Sequence, residues 1–276
     1  MKVSFGYNAD EYKNIENTLI KYTLNPKYTL EFQDFLLQIK EHFSSGTQTI
    51  HKARNELKVL EHKGYKVVVK AFKVPNPFNK FVYAYIRAGK AKKSYENGMR
   101  LMACGVATPE PIGFIEFYKN GVLHESFFVS MQYDYDFVIR EPLYDKNFKE
   151  RETILQQFVS FTFLLHQKNV FHKDYSAGNI LVANKGDGRY DFSIVDINRM
   201  QFRTIDIKKA MENFNKLWAD EETLIFMGRE YARISGYDEE ECVQLILLYD
   251  RKLKQFVQRR RAFKALLIGK KCWLQK

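Results

Sequence analysis

The chain has 276 residues, 45% of them apolar, with 44 Lys and Arg against 33 Asp and Glu. That size allows one large or two small domains with a sizeable core, and no stretch approaches the roughly 18 to 20 apolar residues that cross a bilayer. Cys104, Cys242 and Cys272 are too few and too scattered for a disulfide framework or paired zinc ligands, so a reducing compartment is expected, with the thiols in core or surface roles.

The first segment, "MKVSFGYNADEYKNIENT", lacks the apolar run of a secretion signal, which places the chain in the cytoplasm as an expectation. Residues 1–45 read as a short strand and a helix, with Leu30, Phe32, Phe35, Leu36, Ile39 and Phe43 near one face, an N-terminal extension packed on a β-rich lobe. From residue 47 the pattern turns to β. After "EHKG", Tyr65, Val67 and Val69 point one way and Lys66, Val68 and Lys70 the other, so Lys70 ends an apolar strand. Lys73, just past the Val run, is its alternative.

A polar connection with two prolines, "KVPNPFNK", leads to a helix around "AKKSYENGMRLMA", where Tyr95, Met99 and Met102 recur at helical spacing and Glu96 sits beside the stripe. "VATPEPIG" then enters a hairpin, Ile112 to Phe117 and Ser126 to Met131, turned at "KNG". Near Gln132 a β-rich half gives way to an α-rich half, which divides the chain into 1–45, 46–131 and 132–276. An apolar helix, "ETILQQFVSFTFLLHQKN", precedes the loop "VFHKDYSAGNILVA", and "YDFSIVD" alternates up to Asp196 before a helical remainder from about Asp206.

The loop carries the chemistry. A helix, a polar loop, a short strand and a second strand ending in Asp196 are expected to bring Asp174, Asn179 and Asp196 to one rim. Two oxygen ligands for Mg²⁺, a carboxylate to take a hydroxyl proton, and a lysine with an acidic partner are what phosphoryl transfer requires. Each of these residues alone would be ordinary surface chemistry. Four such features in fixed order are not.

"HKDYSAGN" at 172–179 resembles the catalytic loop H-x-D-x-x-x-x-N of the protein-kinase-like superfamily, "VVVK" resembles its lysine strand, and "DINR" at 196–199 stands where its metal-binding Asp lies. "VDINR", "GVATPEPIG" and the lack of an A-P-E sequence resemble the bacterial lipopolysaccharide core kinases of the Kdo/WaaP type. The resemblance implies an α+β, bilobal protein-kinase-like fold with a β-rich N-lobe and a mainly helical C-lobe. It implies Asp174 as catalytic base, Asn179 and Asp196 as metal ligands, Lys70 with Glu96 as the phosphate-holding pair, and His172 as a brace. ATP and Mg²⁺ are the implied cofactors, and a Kdo or heptose hydroxyl of the inner core is the implied acceptor.

Three departures qualify the match. No G-x-G-x-x-G is present: "TIHKARNEL" stands in its place, leaving backbone amides near Ala53 to Glu56 to meet phosphates, with Met131, Gln132 and Tyr133 positioned for adenine. Lys173 replaces the usual Arg and "DIN" replaces D-F-G. An aminoglycoside, choline or sugar phosphotransferase is the alternative enzyme, and a pseudokinase scaffold the alternative of a different class.

Charge adds a partner. Residues 251–276 hold ten basic and no acidic residues, leaving 34 Lys and Arg against 33 Asp and Glu elsewhere. Leu253, Phe256, Val257, Phe263 and Leu267 recur there at helical spacing, which suits either an anionic membrane surface, with a lipid-linked acceptor at the inner face of the inner membrane, or a terminal helix whose apolar stripe packs on the body and whose charges are solvated. Basic excess confined to a tail, without a base-reading motif, gives no reason to expect nucleic acid.

Overall fold

The computed structural model of the protein describes residues 10–15, 18–46, 49–52, 55–72 and 89–273. Lys73, Ala53, Arg54 and the proline-bearing connection lie outside the described residues. The chain forms two compact units, the first built from 1–134 and 193–199 and the second from 135–192 and 200–276. Among the described residues no helix is long and apolar enough to cross a membrane.

The first unit is organised on an antiparallel sheet. Its strands are β1 (Glu11–Ile15), β2 (Thr18–Leu24), β3 (Thr49–Lys52), β4 (Asn55–His62), β5 (Tyr65–Phe72), β6 (Pro111–Lys119) and β7 (Val122–Met131), in the spatial order β1-β2-β6-β7-β5-β4-β3. The residues ahead of position 45 therefore do more than precede the sheet. They supply two of its strands, with β2 paired to β6 from Thr18↔Lys119 to Leu24↔Gly113. The β6–β7 hairpin turns at Asn120 (φ 51°) and Gly121 (φ 73°), the two positive angles that a two-residue turn needs to match strand twist.

One face of this sheet is covered by α1 (Thr29–Leu37) and α2 (Ile39–Ser45). Phe32, Phe35, Leu36 and Ile39 pack there against Val67, Val69, Ile112 and Ile115. Burial of each such side chain stabilises by about 1.5–3 kcal/mol. Leu30, expected on that stripe, is 92% exposed. At 100° per residue it lies on the far side of the helix from Phe32, so the sheet never meets it.

The opposite face takes α3 (Lys90–Ala103), where Ala91 and Tyr95 join Phe72, Phe114 and Phe128. Lys70 shares this face, being two residues from Phe72 along β5. Gly98 is required by close packing: a Cβ there would stand 2.5 Å from Pro111 and 3.2 Å from Ile197. Residues 193–199 are held to the same unit by Ile194 N–H to the Ala107 carbonyl (3.1 Å), Thr108 Oγ1 to the Ile194 carbonyl (2.8 Å) and Asn97 Nδ2 to the Ile197 carbonyl (2.7 Å).

In the second unit, β8 (Phe137–Val138) and α4 (Arg140–Tyr144) lead to the core helix α5 (Arg151–Gln167). Then come β9 (Val170–His172), β10 (Ile180–Asn184), β11 (Tyr190–Ile194), whose last two residues are counted with the first unit, and β12 (Met200–Phe202), succeeded by α6 (Ile207–Asn213), α7 (Glu221–Ser235) and α8 (Glu239–Trp273). Ile154, Leu155, Phe158 and Val159 of α5 are fully buried, as an apolar-rich central helix should be. Asp206 and Asp220 cap α6 and α7 by accepting from Lys209 N–H (2.7 Å) and Thr223 N–H (2.8 Å). Cys242 is buried on α8, and burial raises its thiol to about 11.

Candidate functional site

The loop joining β9 to β10 begins where β9 pairs with β12, His172 lying opposite Met200. His172 is 1% exposed, and its Nδ1 accepts the Asp174 N–H at 3.1 Å. The ring therefore braces the loop. A 3-10 turn, Ala177–Asn179, closes it, and Asn179 Nδ2 donates back to the Asp174 carbonyl at 2.9 Å. That bond holds the Asn179 amide across the turn.

Tyr175 anchors the loop from below: it is 1% exposed, stacks on Phe158 and shares a 2.9 Å hydrogen bond with Thr162 of α5. Burial raises its phenol well above the ordinary range, so it stays neutral. The Gly178 backbone is closely covered by the Arg140 guanidinium, and a Cβ at that position would lie 2.4 Å from Nη2. The Asp174 carboxylate is itself held, its Oδ1 accepting from Lys216 Nζ at 2.8 Å. Nothing in the sequence around residue 216 signalled this contact.

In the first unit, Lys70 is paired to Asp196 Oδ1, with side chains 13% and 34% exposed. Asn198 Nδ2 donates to the same oxygen at 2.8 Å. Asp196 adopts φ 57°, in the left-handed region where a non-glycine residue costs energy and which is often populated at functional sites. The expected pairing of Lys70 with Glu96 is not formed. Glu96 lies 42% exposed and pairs with Lys92 one turn back on α3 at 3.6 Å, while Lys70 is taken by the carboxylate that residues 193–199 bring to its own sheet face.

Of the residues positioned for adenine, Met131 and Gln132 have their N–H groups engaged within the unit, with the Glu110 and Lys66 carbonyls respectively. Of the donors anticipated for phosphates, Asn55 and Glu56 belong to β4. Taken separately, the amide oxygen of Asn179 and the carboxylate of Asp196 are each hard oxygen donors of the kind Mg²⁺ accepts. No cluster of three or more His, Cys, Asp or Glu in metal-binding arrangement occurs among the described residues.

The division of labour between the two acids on the Lys70 side is testable. Asp196→Asn is expected to lower kcat about a hundredfold, as the loss of one essential charged group does, and Glu96→Gln by less than about tenfold, as an exposed ion pair contributes little. Steady-state kinetics on both variants measure it, and equal losses would return Glu96 to the principal role.

No significant match is found among curated proteins. A solved structure described as "WaaP in complex with acyl carrier protein" superposes with a TM-score of 0.57 at 15% identity, over 85% of this chain and 98% of that one, a likeness of fold. The model of the lipopolysaccharide kinase (Kdo/WaaP) family matches residues 83–237. That match takes in α3, the H-x-D-x-x-x-x-N loop and Asp196, over more than half of the sequence, and the chain belongs to the lipopolysaccharide kinase (Kdo/WaaP) family.

Proposed function

We propose that this kinase transfers the terminal phosphoryl group of ATP, with Mg²⁺, to a hydroxyl of Kdo or heptose in the lipopolysaccharide inner core. The observation that carries the reading is Asp174, whose N–H, carbonyl and carboxylate are each bound by a different side chain, His172, Asn179 and Lys216. A carboxylate held in this way is suited to accept the proton of an acceptor hydroxyl as phosphorus arrives. Lys70 would hold phosphate oxygens, and Asn179 and Asp196 would each give an oxygen to the metal. Mg²⁺, when bound, neutralises charge on the phosphate oxygens.

The organisation into a 46–131 N-lobe and a 132–276 C-lobe belongs to the same reading. So does a lipid-linked acceptor met at the inner face of the inner membrane. Beyond Lys254, which is tied to Asp250 at 2.7 Å and to the Ala219 carbonyl at 3.4 Å, α8 presents Phe256 and Phe263 at 61% and 62% exposure. Seven residues apart, they fall on one helix face, and Arg259, Arg260 and Arg261 are exposed between them. An exposed apolar stripe bordered by cations suits anionic lipid.

The experiment is phosphate transfer from ATP with Mg²⁺ to Kdo-lipid A and heptosylated cores, beside free sugars and aminoglycosides. Transfer to a Kdo-bearing or heptose-bearing core alone supports the reading and chooses between the two sugars, whereas transfer only to soluble acceptors sinks it. Replacing Phe256 and Phe263 together by Ser is expected to weaken binding to anionic vesicles at least tenfold, since each buried Phe contributes about 1.5 kcal/mol. Transfer to a delipidated acceptor should be unchanged. Cosedimentation with vesicles at two salt concentrations checks it, and undiminished binding would remove the membrane role of α8.

A further inference from the structure

We propose that Lys216 is a positioning residue of the transfer reaction, holding the Asp174 carboxylate toward the acceptor hydroxyl. The inference rests on reading Asp174 as the base. Lys216 lies in the 3-10 turn Phe214–Leu217, 42 residues beyond Asp174, and its ammonium donates to Asp174 Oδ1 at 2.8 Å and to the Lys173 carbonyl at 2.6 Å. One cation thus fixes both a carboxylate oxygen and the peptide immediately before it. Charge-assisted bonds of this length are the strong kind.

Several features separate this pair from an incidental surface bridge. The side chains are only 33% and 23% exposed. The turn that carries Lys216 is immobilised, because Phe214 and Leu217 on either side of it are fully buried. Asn213, 4% exposed, ties the same turn to the loop by donating Nδ2 to the His172 carbonyl at 3.3 Å. The cation is delivered by a rigid element, so little further side-chain entropy is lost on holding the carboxylate.

Such a group serves the chemistry. A carboxylate base and an approaching phosphoryl group are both anionic, and a neighbouring ammonium offsets their repulsion while restricting rotation of the carboxylate about its Cβ–Cγ bond. Within the loop, the residues just after Asp174 are Tyr175 and Ser176, neither of them cationic. The cation comes instead from the turn after α6.

The test compares Lys216→Met, Lys216→Arg and the double variant Lys216→Met with Asp174→Asn, each checked for folding by thermal melting. Lys216→Met is expected to lower kcat at least about tenfold with the KM for ATP within a factor of about two, the pattern of lost orientation. Lys216→Arg should recover part of the loss. The double variant should be no slower than Asp174→Asn alone, because the lysine acts through that carboxylate. An unchanged kcat, a loss confined to KM, or a further loss in the double variant would each overturn the proposal. Slow ATP hydrolysis without acceptor is measured in parallel. If the wild-type protein phosphorylates no core sugar, the acceptor assignment fails, and Lys216 is judged on hydrolysis alone by the same criteria. Should Lys216→Met not fold, Lys216→Gln replaces it in every arm.

Discussion

Asp174→Asn is expected to reduce kcat for phosphoryl transfer about a thousandfold, within the usual contribution of a general base, while ATP binding changes by less than a factor of about three. The substitution preserves shape and leaves the backbone anchors in place: His172 Nδ1 still accepts from the residue 174 N–H, and Asn179 still donates to its carbonyl. What disappears is the negative charge that receives the proton and that Lys216 holds. Single-turnover kinetics with a nucleotide-binding isotherm separate the two effects. A variant that keeps more than about a tenth of wild-type kcat would remove Asp174 from the role of base. A parallel collapse of nucleotide affinity would instead indicate that the loop itself had been disrupted.

The second large effect is on stability and depends on pH. His166 of α5 is 5% exposed, with Nδ1 accepting from the Tyr231 hydroxyl at 2.9 Å and Nε2 donating to Asn213 Oδ1 at 3.3 Å. Burial lowers its pKa from 6.5 to about 4, with the Asn213 hydrogen bond opposing the shift only in part. The unfolded chain therefore binds a proton near pH 6.5 that the folded protein refuses until about pH 4. The contribution of the neutral ring is complete above pH 6.5, is lost as pH falls from 6.5 to 4, and levels off below that. At 1.36 kcal/mol per unit the whole span is about 3 kcal/mol, of which about 2 kcal/mol is gone by pH 5.

Urea unfolding of wild type and His166→Gln at pH 7.5, 6 and 5 measures it. The wild-type curve should fall more steeply with acid than the variant's by that amount, and parallel curves would show that His166 is not the group responsible. Asn213, which accepts from His166 and donates to the His172 carbonyl, links the buried ring to the Asp174 loop.

Much of this was legible from residue order because it depends on local chemistry. Alternation in "YKVVVK" identified a strand with Val67 and Val69 on one face, and both are fully buried. "KNG" identified the β6–β7 turn, since an Asn-Gly pair tolerates the positive φ angles it needs. The H-x-D-x-x-x-x-N spacing placed Asp174 and Asn179 on one loop, where a 2.9 Å hydrogen bond spans the four residues between them. Helical periodicity likewise identified the helices after Asp206, and the one-sided charge of residues 251–276 requires only counting.

Other features had no local signature. Glu96 was the natural partner for Lys70 by order, yet the acid that reaches Lys70 is Asp196, because residues 193–199 bond to Asn97, Ala107 and Thr108 and join the first unit. The apolar stripe of α1 and α2 indicated a packing face without indicating which surface it would cover, and Leu30 fell outside it through its angular position. Lys216 was invisible in principle, since a lysine acquires such a role only when a distant carboxylate is delivered to it. By itself the sequence determined the elements, their order and the chemical inventory, because backbone preference and side-chain periodicity act over a few residues. Which carboxylate meets which cation was decided by the tertiary structure, because ion pairs between groups 126 and 42 residues apart exist only after packing has placed their backbones within reach.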